Sequence, residues 1–191
     1  MSESESNKDT MMVIAKIVII SVVAALLLGI TYVPTSEQLK VNEANAKTEI
    51  LAKLIPGDVT FEAVEGTAVD AEGNPEILYY RATDASGNIV GYAFFKEQAG
   101  AQGPIVVAGA VDPTFTTLLG MSVLSNEETP GLGAKIVQPE FQNQFLNLPM
   151  ASLALSKSGG SIDAITGATI SSTAVVDALN IKIDEIKQAE E

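Results

Sequence analysis

The 191-residue chain contains no cysteine and no histidine. Without cysteine there are no disulfides, no thiolate catalysis, no cysteine-ligated zinc and no iron–sulfur ligation. Without histidine the commonest metal ligand, the usual general base and ordinary haem ligation are missing, and a Ser-His-Asp triad cannot be assembled. Positive charge is scarce, with 11 Lys and Arg against 24 Asp and Glu and a formal net charge of −13. Such a chain repels a phosphate backbone and offers no basic stripe, which argues against nucleic acid and favours a basic protein or patch as partner. No G-x-G-x-x-G run is present either, which weighs against a conventional dinucleotide fold. Chemistry must come from carboxylates, hydroxyls, the backbone or a bound group.

What is present starts with apolar content. At 47% hydrophobic residues the chain is globular or membrane-associated, long enough for one domain and something extra. Residues 1–10 form a polar tail expected to be disordered, and residues 11–33 are nearly all apolar, interrupted only by Lys16, Ser21 and Thr31. The uninterrupted part after Lys16, roughly 17 residues, rises ~25 Å against a hydrocarbon core of ~30 Å, and a snorkelling Lys16 lets residues 11–14 complete the span. A cleaved signal peptide fits less well, because the run outlasts an h-region and the A-x-A match Ala44-Asn45-Ala46 lies well beyond it. An uncleaved transmembrane helix in contact with membrane lipid is therefore expected. Lys8 and Lys16 on one flank face Lys40, Lys47 and Lys53 on the other, so basic charge alone does not decide the orientation.

Residues 34–57 read as a connecting helix with Ser36 as N-cap and a stop at Pro56-Gly57. From residue 58 to 191 the pattern is that of a separate domain. Residues 76–82, 89–95, 105–111 and 118–124 are rich in Val, Ile, Tyr and Phe and read as strands, with residues 84–88 as a hairpin turn. Short turns make neighbouring strands antiparallel. A short helix is expected over 139–148 and a longer one over 172–188, where Val175, Leu179, Ile183 and Ile186 recur at helical spacing. The class is α+β: one N-terminal transmembrane helix followed by an antiparallel-sheet domain with flanking helices.

Two stretches carry chemistry. In residues 163–172, four hydroxyl side chains (Thr166, Thr169, Ser171, Ser172) crowd a Gly167-Ala168 turn beside an expected helix start. Glycine permits the tight turn, and the helix N-terminus offers unpaired N–H groups and a positive dipole end, a setting suited to phosphate. Those same hydroxyls also suit plain helix capping. Residues 128–133, Glu-Thr-Pro-Gly-Leu-Gly, form a Pro-Gly turn with a second glycine for close backbone approach, and on their own they fit an ordinary loop as well.

Taken in order, these residues resemble a known family. Asp163, Thr166, Gly167, Ala168, Thr169 and Ser171 match the flavinylation signature D-x-x-[ST]-G-A-[TS]-x-[ST] of membrane-bound electron-transfer flavoproteins. Glu128 to Gly133 match the E-T-P-G-L-G loop of the G subunit of the Rnf complex and its longer relative, the C subunit of the sodium-translocating NADH:quinone reductase. The resemblance spans essentially the whole chain. Ala101-Gln102 depart from the glycine- and aromatic-rich approach common in the family.

The resemblance implies FMN joined through its phosphate to the hydroxyl of Thr169, which makes the chain a phosphoprotein in the chemical sense. Glu128, Thr129, Gly131 and Leu132 would lie against the ring, Thr166, Gly167 and Ala168 would form the attachment turn, and Asp163 would serve transferase recognition or turn structure. It further implies one-electron relay within an ion-translocating membrane complex, with the other members of the complex as partners and the flavin domain outside the cytoplasm. A threonine hydroxyl is a poor nucleophile without an activating base, so attachment requires a separate magnesium-dependent flavin transferase consuming FAD. The acidic surface suggests a c-type cytochrome as a further partner. No independent substrate turnover is expected. Two other readings stand beside this one: an anchored extracytoplasmic binding or adhesion module without a cofactor, and a hydrolase. The hydrolase is disfavoured because Glu127 and Glu128, adjacent in an extended stretch, point to opposite faces.

Overall fold

A computed structural model describes residues 3–69 and 73–190. The chain divides into two compact units, residues 1–46 and 47–191.

The first unit is helical throughout its described length. Helix α1 runs Glu3–Leu54 and continues into the second unit. Residues 3–10 thus carry helical backbone where a disordered tail was expected, and the helix does not stop and restart at Pro34. A proline inside a helix removes one N–H bond and costs ~3 kcal/mol, a local penalty that long helical runs on both sides can absorb. Within α1, Met11–Gly29 is a 19-residue stretch of mean hydropathy 2.8 with every side chain exposed, long and apolar enough to cross a membrane. The Ser21 hydroxyl inside it donates to the Ile17 carbonyl at 2.9 Å, which satisfies the one polar group of that turn without water.

The second unit is built on a six-stranded antiparallel sheet in sequential order: β1 (Val59–Val69), β2 (Pro75–Asp84), β3 (Ile89–Ala99), β4 (Pro104–Val111), β5 (Thr117–Asn126) and the two-residue β6 (Leu148–Pro149). The β2–β3 turn falls at the expected place. Asp84 Oδ1 accepts from the Ser86 and Asn88 amides at 2.8 and 2.9 Å, and Gly87 takes φ +83°.

Period-two alternation sorts the sheet into two faces of different character. On one face Tyr92 and Phe94 of β3 join Ile105, Val107 and Val111 of β4 in the main core, covered by helix α3 (Thr169–Glu190) through Val175, Leu179, Ile183 and Ile186. Gly109 lies on this face, and a Cβ there would sit 2.6 Å from both Leu179 and Phe94, so glycine sets how closely α3 packs. On the opposite face the buried centre is small, Ala82, Ala93, Ala108 and Ala110, and it receives Leu51, Leu54 and Ile55, with Phe61, Tyr80 and Phe95 packed around it. Burial on both faces explains why β4 is apolar without a break.

Two helix boundaries differ from expectation. The helix expected over 139–148 is one turn, α2 (Pro139–Gln142), followed by a 3-10 turn at Asn143–Phe145 and then β6. Pro149 has no N–H to extend a helix, and the chain turns back to pair Leu148 with Leu118. Helix α3 starts at Thr169, three residues before the expected Ser172, which makes Thr169 its first residue.

Candidate functional site

Ile165, Thr166, Gly167 and Ala168 form a tight turn closed by the Ala168 amide donating to the Ile165 carbonyl at 2.9 Å. Gly167 adopts φ +79°, the left-handed region open to glycine at little cost. The four hydroxyls around this turn have different fates. Ser172, fully buried, donates to the Ala168 carbonyl and accepts from the Ile165 amide, both at 3.0 Å. Ser171, also buried, donates to Glu128 Oε2 at 2.8 Å. Thr166 is exposed at the apex of the turn. Thr169 is half-buried, and its Oγ1 receives Lys157 Nζ at 3.4 Å. Capping and packing therefore occupy the two serines, and the Thr169 hydroxyl remains at the surface beside a cation.

Thr169 opens onto a cleft of about 270 Å³ lined by Thr129, Leu132, Gly133 and residues 167–171, with Ala101, Gln102 and Glu128 completing the wall. Leu132 and Ile170 give it apolar walls and are 42% and 64% exposed, a high value for side chains of their size. A cleft this small falls below the ~300–1,000 Å³ of ordinary ligand pockets. A larger hollow of about 520 Å³ lies near β2, between Lys47, Tyr80 and Phe95, away from both motifs.

Glu128 ties the cleft together. It is 6% exposed. Its Oε1 accepts from the Ala101 and Gln102 amides at 2.7 and 3.2 Å, while its Oε2 takes the Ser171 hydroxyl. Three segments distant in sequence thus meet at one carboxylate. Glycine makes the fit: a Cβ on Gly100 would strike Glu128 Oε1, and one on Gly133 would strike Glu128 Oε2 and Ser171 Oγ. Gly131 takes φ +77°, turning the 128–133 loop, and the Leu132 and Ala134 amides both donate to the Thr129 carbonyl. Neighbouring Glu127 is exposed, so the two adjacent carboxylates make no acid–base pair.

Of the residues singled out from sequence, Glu128, Thr129, Leu132, Gly167, Ala168 and Thr169 all line this cleft. Gly131 and Thr166 shape its turns without lining it. Asp163 is exposed and outside the cleft; its backbone pairs with the Gln144 side chain, donating to Oε1 at 2.7 Å and accepting from Nε2 at 3.3 Å. Sequence reading missed Ser171 as a Glu128 partner, Ile170 as a wall and Lys157 altogether. Lys157 stands at the apex of a fold-back in which the Ile162 amide donates to the Ala154 carbonyl at 3.1 Å and the Ser156 amide to the Ile162 carbonyl at 2.8 Å. Its Ser-Lys-Ser-Gly-Gly context resembles any polar loop.

A surface hydroxyl at the first position of a helix, a lysine beside it and an open cleft with apolar walls form a setting whose residues fit a phosphate-bearing group such as FMN. Residues 100–184 match the family model of the FMN-binding domain. The G subunit of the ion-translocating oxidoreductase complex from Methanosarcina acetivorans is 48% identical over 184 residues, covering 96% of this chain and 98% of that protein. The G subunit of the Na(+)-translocating ferredoxin:NAD(+) oxidoreductase complex from Acetobacterium woodii is 29% identical, covering 86% of each chain. Among solved structures, the C subunit of the Na(+)-translocating NADH-quinone reductase from Parabacteroides distasonis aligns with a TM-score of 0.46 at 27% identity, over 64% of this chain and 72% of that one. The chain belongs to the G-subunit family of ion-translocating oxidoreductase complexes.

Proposed function

We propose that this protein is an electron-transfer subunit of a membrane-bound, Rnf-type ion-translocating complex, carrying FMN joined by a phosphoester to Thr169. The observation that carries the attachment is the division of labour among the hydroxyls: Ser171 and Ser172 are engaged inside the fold, while Thr169 presents its oxygen on the rim of the cleft. Bound FMN supplies a ring that takes up and releases electrons, chemistry none of this chain's side chains offers.

The chain's own residues hold and orient. Thr169 Oγ1 would be the attachment atom: it would bond to the FMN phosphorus of FAD as the pyrophosphate bond breaks, with AMP leaving and the hydroxyl proton passing to solvent. A separate flavin transferase brings the metal and base that a chain without histidine lacks. Lys157, 3.4 Å from Thr169 Oγ1, and the N-terminal end of α3 would offset the phosphate charge. Leu132 and Ile170, the apolar walls of the cleft, would pack against the ring and exclude water from it. Covalent tethering gives a high effective concentration, so a shallow cleft with few polar contacts is enough.

The anchor fixes the domain at a membrane beside the other members of the complex, and we place the domain on the extracytoplasmic side. A cationic carrier of the c-type cytochrome class docks on the acidic chain. Attachment is tested by denaturing the protein after coexpression with a flavin transferase: flavin fluorescence stays with the wild-type chain and is absent from Thr169→Ala. A colourless wild-type chain would return the site to an anchored binding module.

A further inference from the structure

Of the eleven residues that line the cleft beside Thr169, Glu128 alone is ionisable. Two backbone amides, of Ala101 and Gln102, and the Ser171 hydroxyl donate to its carboxylate. Gly100 and Gly133 make room for it, because a Cβ at either position would meet its oxygens. The three hydrogen bonds hold the carboxylate in the cleft wall. Hydrogen bonding alone does not demand a charge here, since a glutamine oxygen would accept the same two amides, and burying a charge is costly.

We propose that Glu128 sets the redox poise of the flavin held at Thr169: its fixed negative charge in the cleft wall opposes electron uptake and keeps the potential low. The inference rests on the attachment reading above. One electron delivered into the cleft by a reductant adds one negative charge there unless one proton from water accompanies it. A buried anion in the same wall raises the energy of that added charge far more than an anion in water would. Glu127, adjacent in the chain but exposed, carries the same formal charge and is screened by solvent.

The test uses the full-length flavinylated protein, with intact mass confirming one flavin per chain before any titration. Spectroelectrochemical titration at one pH then compares wild type, Glu128→Gln and Glu127→Gln. Glu128→Gln is expected to raise the reduced-to-oxidised ratio at fixed ambient potential about tenfold, ~59 mV for a one-electron couple, with Glu127→Gln close to wild type. Equal potentials in wild type and Glu128→Gln overturn the proposal, as do equal shifts in the two variants. If Glu128→Gln does not accumulate, Ser171→Ala decides: it removes one donor and leaves the charge less compensated, so the potential falls, and an unchanged potential overturns the idea. A wild-type chain without flavin mass overturns the attachment reading itself and this inference with it.

Discussion

The Ser171 hydroxyl donates to Glu128 Oε2 at 2.8 Å across 43 residues of sequence, binding the first turn of α3 to the 128–133 loop. Both side chains are buried, so water cannot replace either partner. A buried hydrogen bond to a charged group contributes ~1.5–3 kcal/mol. Ser171→Ala should lower unfolding free energy by about that amount in denaturant titration of the unmodified protein, whereas Thr166→Ala, at an exposed position, should change it by less than ~0.5 kcal/mol.

Lys157 approaches Thr169 Oγ1, the proposed attachment atom, at 3.4 Å. Lys157→Gln should slow flavin attachment several-fold in a timed transferase assay, with Lys157→Arg retaining most of the rate. Equal rates in all three proteins would show that the lysine does not face the phosphate.

At the far end of α3, Glu190 accepts from Arg81 Nη2 at 2.7 Å, from Tyr92 at 3.2 Å and from Tyr79. Burial first, and the hydrogen bond to Glu190 second, push the Tyr79 phenol up to about 12. Tyr92 moves in the same direction, again chiefly through burial. A phenol raised in the folded state contributes stability that is complete below its unfolded value near 10 and is lost as pH climbs to about 12. Stability should therefore fall over that window, and more shallowly in Tyr79→Phe. Burial also raises Glu190, but bonds from Arg81 and the tyrosines outweigh it and hold the carboxyl below its ordinary range. Its contribution is present above that range and is lost as pH falls through the lowered value.

With a net charge of −13, association with a cationic electron carrier should be steered by long-range attraction. Stopped-flow electron transfer to a basic c-type cytochrome should slow steeply between low and physiological salt. A salt-insensitive rate would remove that class of partner.

Much of the architecture can be read in local sequence. Asp84 and Gly87 mark the β2–β3 turn, and the α3 stripe Val175, Leu179, Ile183, Ile186 is the face that covers the sheet. Strand β1 is harder to see, because Glu62, Glu65 and Gly66 interrupt its apolar alternation on an edge of the sheet. Helix α1 hides its continuity behind Pro34, whose local penalty says nothing about the helix on either side. The 165–168 turn and the 128–133 loop stand out through their glycines. Their union does not, since Glu128 reaches Ser171, Ala101 and Gln102 only through the fold. Lys157 has no local signature at all: it meets Thr169 because the 154–162 segment folds back on itself.

The most direct measurement is the intact mass of the chain after coexpression with a flavin transferase, beside Thr169→Ala. The account predicts that the wild-type chain gains the mass of one FMN less one water and that the variant gains none. No gain in the wild type, with the transferase active on a known acceptor, or an equal gain in Thr169→Ala, would contradict it.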